Sequence, residues 1–217
     1  NLVWSDVENP TVGPRDVLIE IHAAALNRAD LLQRQGKYPS PKGCPPWMGL
    51  EVAGIVCETG AEVTRWRTGD RVCALLGGGG YAEYVAVDEG MVMPVPGGLS
   101  FEEAASLPEA YATCYLNLFR EGGYRPGETL FFPAGASGLA SVGIPMAKAF
   151  GAYVITSVLT DEIAEKIAPL RADRVIVSSR EDTAEVIRVE AENGHPVDVA
   201  IDCLAGETIG KCFPYVN

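Results

Sequence analysis

Histidine is almost missing from this sequence: His22 and His195 are the two among 217 residues. That scarcity argues against a metal centre built on imidazole ligands. The six cysteines (Cys44, Cys57, Cys73, Cys114, Cys203 and Cys212) contain no Cys-x-x-Cys pair. Scattered in a chain of this length, they read as reduced, buried thiols in a cytoplasmic setting. Basic residues are also short, with 17 Lys and Arg against 29 Asp and Glu and a formal net charge of -12. Such a surface repels phosphate backbones and anionic lipid, which excludes nucleic-acid and membrane partners. No apolar run approaches bilayer-spanning length, and no basic-then-apolar signal segment opens the chain. An initiator methionine is missing too. The sequence opens on Asn1 and enters a strand pattern almost at once, so it reads as clipped.

What is present divides by period. "DVLIEIHAA" (Asp16 to Ala24) alternates apolar and polar residues, putting Val17, Ile19 and Ile21 on one face. "EVAGIVCETG", "DRVCAL" and "YAEYVAV" follow, separated by turn signals that include Gly77 to Gly80. Short strands at this spacing predict a barrel-like β domain over residues 1–108. At Ser100 the period changes. Ser100 and Glu103 form a capping box, and helical stretches follow through "EEAASL" and "AYATCYLNLF". Beyond "YRPGE", the apolar runs "TLFF", "AYVITSV", "RVIVS" and "DVAIDCL" alternate with helical segments near 138–150, 161–170 and 182–193. That alternation predicts a parallel sheet of βαβ units, a doubly wound α/β domain over residues 109–217.

The stretch "PAGASGLASVG" (residues 133–143) follows the first of those strands and opens the first of those helices. This is the context of a dinucleotide-binding turn, although no clean G-x-G-x-x-G is spelled. Gly135 suits the tight turn, Gly138 the approach of backbone to a pyrophosphate, and Ala140 the close packing of helix on strand. Ser137 and Leu139 complete the cofactor-binding set of this loop. Leu139, Val142, Met146 and Phe150 recur on one face, which is expected to lie on the sheet. Pro145 falls inside the helix and predicts a kink. The alternative is a small-residue turn that binds nothing. At the end of the second strand, Thr160 stands where an NAD site places a carboxylate on the ribose diol. That leans toward NADPH, with NADH possible, yet no Arg or Lys stands beside Thr160 in sequence.

"ALNRADLLQRQGKYPSP", "GLEVAGIV", "TGDRVCALLGGGGYAEYV" and "LPEAYATCYLNL" resemble the zinc-free quinone oxidoreductases of the medium-chain dehydrogenase/reductase superfamily. The run N-R-A-D-L-x-Q-R-Q-G-x-Y is nearest to the stress-inducible NADPH:quinone oxidoreductase branch. The resemblance implies a GroES-like β-barrel domain, a Rossmann domain, and a cleft between them for NADPH and a quinone. By resemblance, Asn27, Asp30 and Tyr38 are the catalytic candidates. Asn27 would hydrogen-bond the acceptor oxygen, and Tyr38 would donate a proton or orient the ring. Thr113 neighbours the nicotinamide amide, and Trp47 and Met48 supply an apolar wall. Each has a plainer reading: Asp30 as a helix cap, Tyr38 as loop packing, Trp47 and Met48 as core. Zinc relatives carry Cys where this sequence has Asn27 and His where it has Leu50, so no zinc is expected. Glu51 reads as a buried structural carboxylate, and Cys203 as a buried thiol at the end of the fourth strand near the cofactor.

The second half departs from the family. Ile163 occupies the slot of the lysine that grips the 2′-phosphate, and Val177-Ser178 replace an Asn-Tyr pair. Thr160 and Ser178 remain as cofactor-binding candidates. Asn217 ends the sequence where relatives continue with further strands, so the Rossmann domain is expected to be C-terminally incomplete. For the complete protein the resemblance implies a homodimer and a small-molecule quinone as substrate. Three functions stay open: NADPH-dependent quinone reduction, reduction of an enoyl thioester, and a catalytically silent truncated protein.

Overall fold

The computed structural model describes residues 2–217. The chain divides into two units, Asn1–Glu109 and Ala110–Asn217.

The first unit is a curled antiparallel sheet of five strands in the order β4-β1-β2-β3-β5. Its strands are β1 (Asp16–Ala24), β2 (Glu51–Thr59), β3 (Arg71–Leu75), β4 (Tyr84–Asp88) and β5 (Val92–Pro94). The alternation in β1 does what period two requires: Val17 and Ile19 are fully buried. They meet Val52, Val56, Val72 and Val85, with Ile21 packed at the margin. Burying each such side chain contributes roughly 1.5–3 kcal/mol. Helix α1 (Arg28–Arg34) leaves the end of β1. The capping box forms as spelled, with Ser100 accepting from the Glu103 amide and Glu103 from the Ser100 amide. It starts α2 (Phe101–Ala105), whose Ala104 and Ala105 pack on Ala53 and Cys73. Helix α3 (Pro108–Tyr115) follows and runs into a π-helical turn at Leu116–Glu121.

The second unit is a four-stranded parallel sheet in the order β8-β7-β6-β9. Its strands are β6 (Thr129–Phe132), β7 (Tyr153–Val158), β8 (Arg174–Val177) and β9 (Val197–Ala200). Helices α4 (Gly138–Ala149), α5 (Asp161–Ile167) and α6 (Thr183–Glu192) alternate with them, and α7 (Glu207–Cys212) follows β9. Both faces are covered. Leu130 and Phe132 pack toward Ile144 of α4, whereas Phe131 and Ile155 pack toward Ile187 of α6. This explains why these strands read as unbroken apolar runs. The chain advances from β6 to β7 to β8, and β9 then joins the opposite side of β6. The carboxyl ends of β6 and β9 therefore flank a topological switch point, where open α/β sheets bind ligands.

Helix α4 corrects one expectation. Its buried stripe is Ala140, Gly143, Ile144 and Ala147, not Leu139, Val142, Met146 and Phe150. Leu139, Val142 and Met146 flank the stripe, and Phe150 is 49% exposed. The cause is steric: a Cβ on Gly143 would lie 2.6 Å from the Phe132 ring. At Gly143 the helix sits so close to the sheet that no side chain fits beneath it, while Ile144 fills the space beside that contact. It runs through Pro145, whose ring is exposed.

Candidate functional site

In the first unit a knot of buried carboxylates forms around Asn27. Asp30, on α1, is 2% exposed. Its Oδ2 accepts from the Asn27 backbone amide at 2.7 Å and its Oδ1 from the Gly49 amide at 3.1 Å. Glu51 opens β2 and is 3% exposed. Its Oε1 accepts from Asn27 Nδ2 at 2.8 Å, and its Oε2 from the Glu109 amide at 2.8 Å, in the first turn of α3. That amide is one of the donors a helix start leaves unpaired, so Glu51 also caps α3. Burial pushes the Glu51 carboxyl above its ordinary range, against the pull of the N–H groups of Glu109 and Asn27. The Glu109 carboxyl is raised by burial and by the neighbouring charges of Glu51 and Asp30. The Tyr81 phenol is raised as well, first by burial and then by Asp30. None of the ion pairs among the described residues involves Asp30, Glu51 or Glu109.

The other candidates of this unit are placed more loosely. Tyr38 is 41% exposed on the loop after α1. Trp47 is half-buried and donates through Nε1 to the Gly79 carbonyl at 3.2 Å. Met48, also half-buried, accepts from the Tyr81 amide through its carbonyl. The structure thus joins Asn27 and Asp30 into one network by direct hydrogen bonds, whereas Tyr38 enters none of those described. Among the described residues, no group of three or more His, Cys, Asp and Glu is placed to hold a metal.

In the second unit the glycine turn leaves the carboxyl end of β6, beside the switch point. Gly135 is buried, and its amide donates to the Ser157 carbonyl at 2.9 Å. A Cβ there would stand 2.4 Å from Thr156 Oγ1, so the turn closes only with glycine. Ser137 caps α4, accepting from the Ala140 amide at 3.1 Å. The Gly138 and Leu139 amides have no protein acceptor among the described residues. Gly138 faces open space where a side chain would start. Two buried hydroxyls fix this turn, and sequence reasoning passed over both. Thr156 donates to the Phe132 carbonyl at 2.7 Å, and Ser157 to the Pro133 carbonyl at 2.6 Å. Polar letters within an otherwise apolar strand were the available signal. Thr113 lies on α3, half-buried, its carbonyl accepting from Asn117 Nδ2.

Two sequence expectations change here, and the reading of Ile163 gains a physical cause. Ile163 packs against the cluster of Val158, Ile167 and Val177, so that slot serves the core. A cation does reach Asp161, the residue after Thr160. Arg180 reaches Asp161 Oδ1 through its Nε at 3.2 Å and a terminal nitrogen at 3.1 Å. The parallel pairing of Val158 with Val177 carries it there, which no local pattern could reveal. Thr160 itself caps α5, and the Ser178 hydroxyl is turned back onto the Val158 carbonyl at 3.1 Å. Cys203 is exposed and lies beyond β9, not buried at its end. Its strand finishes at Ala200, and the chain has already turned outward. Cys44 and Cys57 are half-buried, whereas Cys73, Cys114 and Cys212 are buried. Burial lifts the Cys114 thiol to about 11. No described helix is long and apolar enough to cross a membrane.

Comparison with known proteins places these features in a lineage. Residues 13–97 match the alcohol dehydrogenase GroES-like domain family. The chain is 33% identical over 205 residues to quinone oxidoreductase-like protein 2 homolog of Nematostella vectensis, covering 93% of this chain and 55% of that protein. The crystal structure of Escherichia coli quinone oxidoreductase complexed with NADPH superposes with a TM-score of 0.83 at 28% identity, over 98% of this chain and 65% of the other. The CurK enoyl reductase superposes with a TM-score of 0.87 at 28% identity, over 100% of this chain and 67% of the other. The chain thus spans little more than half the length of the curated relative. With a GroES-like sheet, a Rossmann-like sheet and these relatives, the chain belongs to the quinone oxidoreductase family of the medium-chain dehydrogenase/reductase superfamily.

Proposed function

We propose that the protein reduces quinones with NADPH by hydride transfer, without a zinc ion. The observation that carries this reading is the mouth of α4, where the Gly138 and Leu139 amides stand free at the switch point. Amides at a helix start favour a diphosphate through both hydrogen bonds and the helix dipole. The residues fit such a group, because Gly135 makes the turn compact and Gly138 leaves the approach open. In this reading Gly135, Ser137, Gly138, Leu139 and Ala140 shape the diphosphate cradle. Thr160 and Ser178 border the adenosine ribose, with Arg180 as the cation for its 2′-phosphate, and Thr113 neighbours the nicotinamide.

When bound, the reduced nicotinamide supplies a hydride, and a quinone that takes it together with one proton leaves as the hydroquinone. The first unit provides the acceptor side. Asn27 hydrogen-bonds an acceptor oxygen, Asp30 fixes the Asn27 backbone, and Trp47 and Met48 form the apolar wall. Tyr38, being exposed, orients the ring or relays a proton from solvent. Asn27 and Leu50 offer no thiolate or imidazole where zinc relatives carry theirs, so polarisation of the acceptor rests on hydrogen bonds. A homodimer and a cytoplasmic location complete the proposal, by family resemblance.

The test is a fluorescence titration with NADPH and NADH, followed by absorbance assays with ortho- and para-quinones. Saturable NADPH binding with quinone-dependent oxidation is expected, and no oxidation with any quinone overturns the reading. The second reading, an enoyl-thioester reductase, is favoured by the likeness to the CurK enoyl reductase. Turnover of a crotonyl thioester without turnover of quinones selects it.

A further inference from the structure

Glu51 is an expensive residue to bury. A carboxylate removed from water needs partners, and a nearby cation is the usual one. Here the nearby charges are of the same sign: Asp30 raises its proton affinity, and Glu109 is raised in turn by both. An apolar residue would fill the volume at lower cost. What a carboxylate offers, and an apolar residue or an amide does not, is two oxygens that only accept. Both are used, one on Asn27 Nδ2 and one on the Glu109 amide.

This fixes the side-chain amide of Asn27. Facing an acceptor-only partner, Asn27 must present Nδ2 to Glu51, because the flipped amide would set oxygen against oxygen. Its backbone is held independently by Asp30. The donor left to Asn27 is then the second Nδ2 hydrogen, while Oδ1 lies on the side of the α1 start, where Asn27 and Asp30 form a capping box. We propose that Glu51 is a positioning residue that locks Asn27 in one amide orientation and thereby sets the donor–acceptor pattern offered to the oxidant. The proposal rests on the reading that Asn27 meets the acceptor.

Glu51→Gln tests it with shape conserved. Glutamine has one accepting oxygen, already needed by the Glu109 amide, so its Nε2 faces Asn27 and drives the amide to flip. In the cofactor-free chain, the Asn27 side-chain amide is expected to give protected, well-dispersed NMR signals. Glu51→Gln shifts them and removes the protection, whereas Glu51→Asp, still acceptor-only, keeps them. Unchanged Asn27 signals in Glu51→Gln overturn the proposal. The groups facing Glu51 are Asp30, Glu109, Cys73 and Tyr81, so all spectra are compared at one pH. In turnover, Glu51→Gln is expected to lower kcat/KM for the oxidant by roughly tenfold, the worth of one oriented hydrogen bond, with NADPH affinity unchanged. The same substitution in an Asn27→Ala background should add no further loss. Equal losses in both backgrounds overturn the proposal in favour of a structural role. Full activity in Asn27→Ala overturns the acceptor reading instead, while the NMR result still decides the positioning.

Discussion

The two units build their candidate sites by opposite means. In the antiparallel unit the chemistry lies in side chains, and buried carboxylates hold it: Asp30 and Glu51 each use both oxygens on Asn27 and nearby backbone. In the parallel unit it lies in backbone. On the proposed reading the Gly138 and Leu139 amides form the working surface, and side chains such as Thr156 and Ser157 pin the turn that presents them. A site made of side chains fails when a group is removed. One made of backbone fails when an atom is added.

That contrast is open to direct attack. The largest effect is expected at Gly135. Gly135→Ala places a Cβ 2.4 Å from Thr156 Oγ1 and 3.0 Å from Ile167 Cδ1. Overpacking of this kind costs about 1–3 kcal/mol, and the cradle must shift, so both the melting temperature and NADPH affinity should fall. Gly138→Ala separates the two losses. Its added methyl meets open space and the helix gains from alanine, so Tm should hold or rise while NADPH affinity drops. Equal behaviour of the two variants in paired melting and titration experiments would break the comparison.

A smaller effect is expected at Arg180. Arg180→Ala should weaken NADPH by roughly tenfold, as the loss of a charge-assisted contact would, and leave NADH nearly unchanged. An equal change for both cofactors removes Arg180 from the 2′-phosphate.

The smallest effect concerns charge in the antiparallel unit. Burial raises the Glu109 carboxyl, so the folded protein holds that proton more tightly than the unfolded chain does. The stability this contributes is present in acid and is lost as pH rises through the folded value. Glu109→Gln should therefore melt above the parent at neutral pH, and the two should converge near pH 4 or below, about where glutamate protonates in both states. Thermal melts across that range check the sign, and a glutamine variant that melts lower at neutral pH would contradict it.

Much of the fold was legible because it follows from local period. Alternation in β1 gave its buried face, and Ser100 with Glu103 gave the helix start that the hydrogen bonds display. The strand–turn–helix around Gly135 was equally plain. What escaped the sequence depends on long-range placement. The α4 face was misread because hydrophobicity was taken as the guide, whereas clearance above Phe132 selects small residues. Arg180 escaped because 19 residues separate it from Asp161, and parallel pairing alone joins them. The partnership of Glu51 with Glu109 spans 58 residues and ends on a main-chain amide, for which the letters of a sequence carry no sign.

The clearance under α4 has a mechanical consequence. The ring of Phe132 sets the height at which the helix rests, and Gly143 is where the two touch. A methyl inserted at Gly143 would act as a shim, tilting the far end of a rigid rod whose tip carries the Gly138 amides. On the proposed reading, nucleotide affinity can thus be tuned from inside the core, at a position about one and a half turns from the glycine loop.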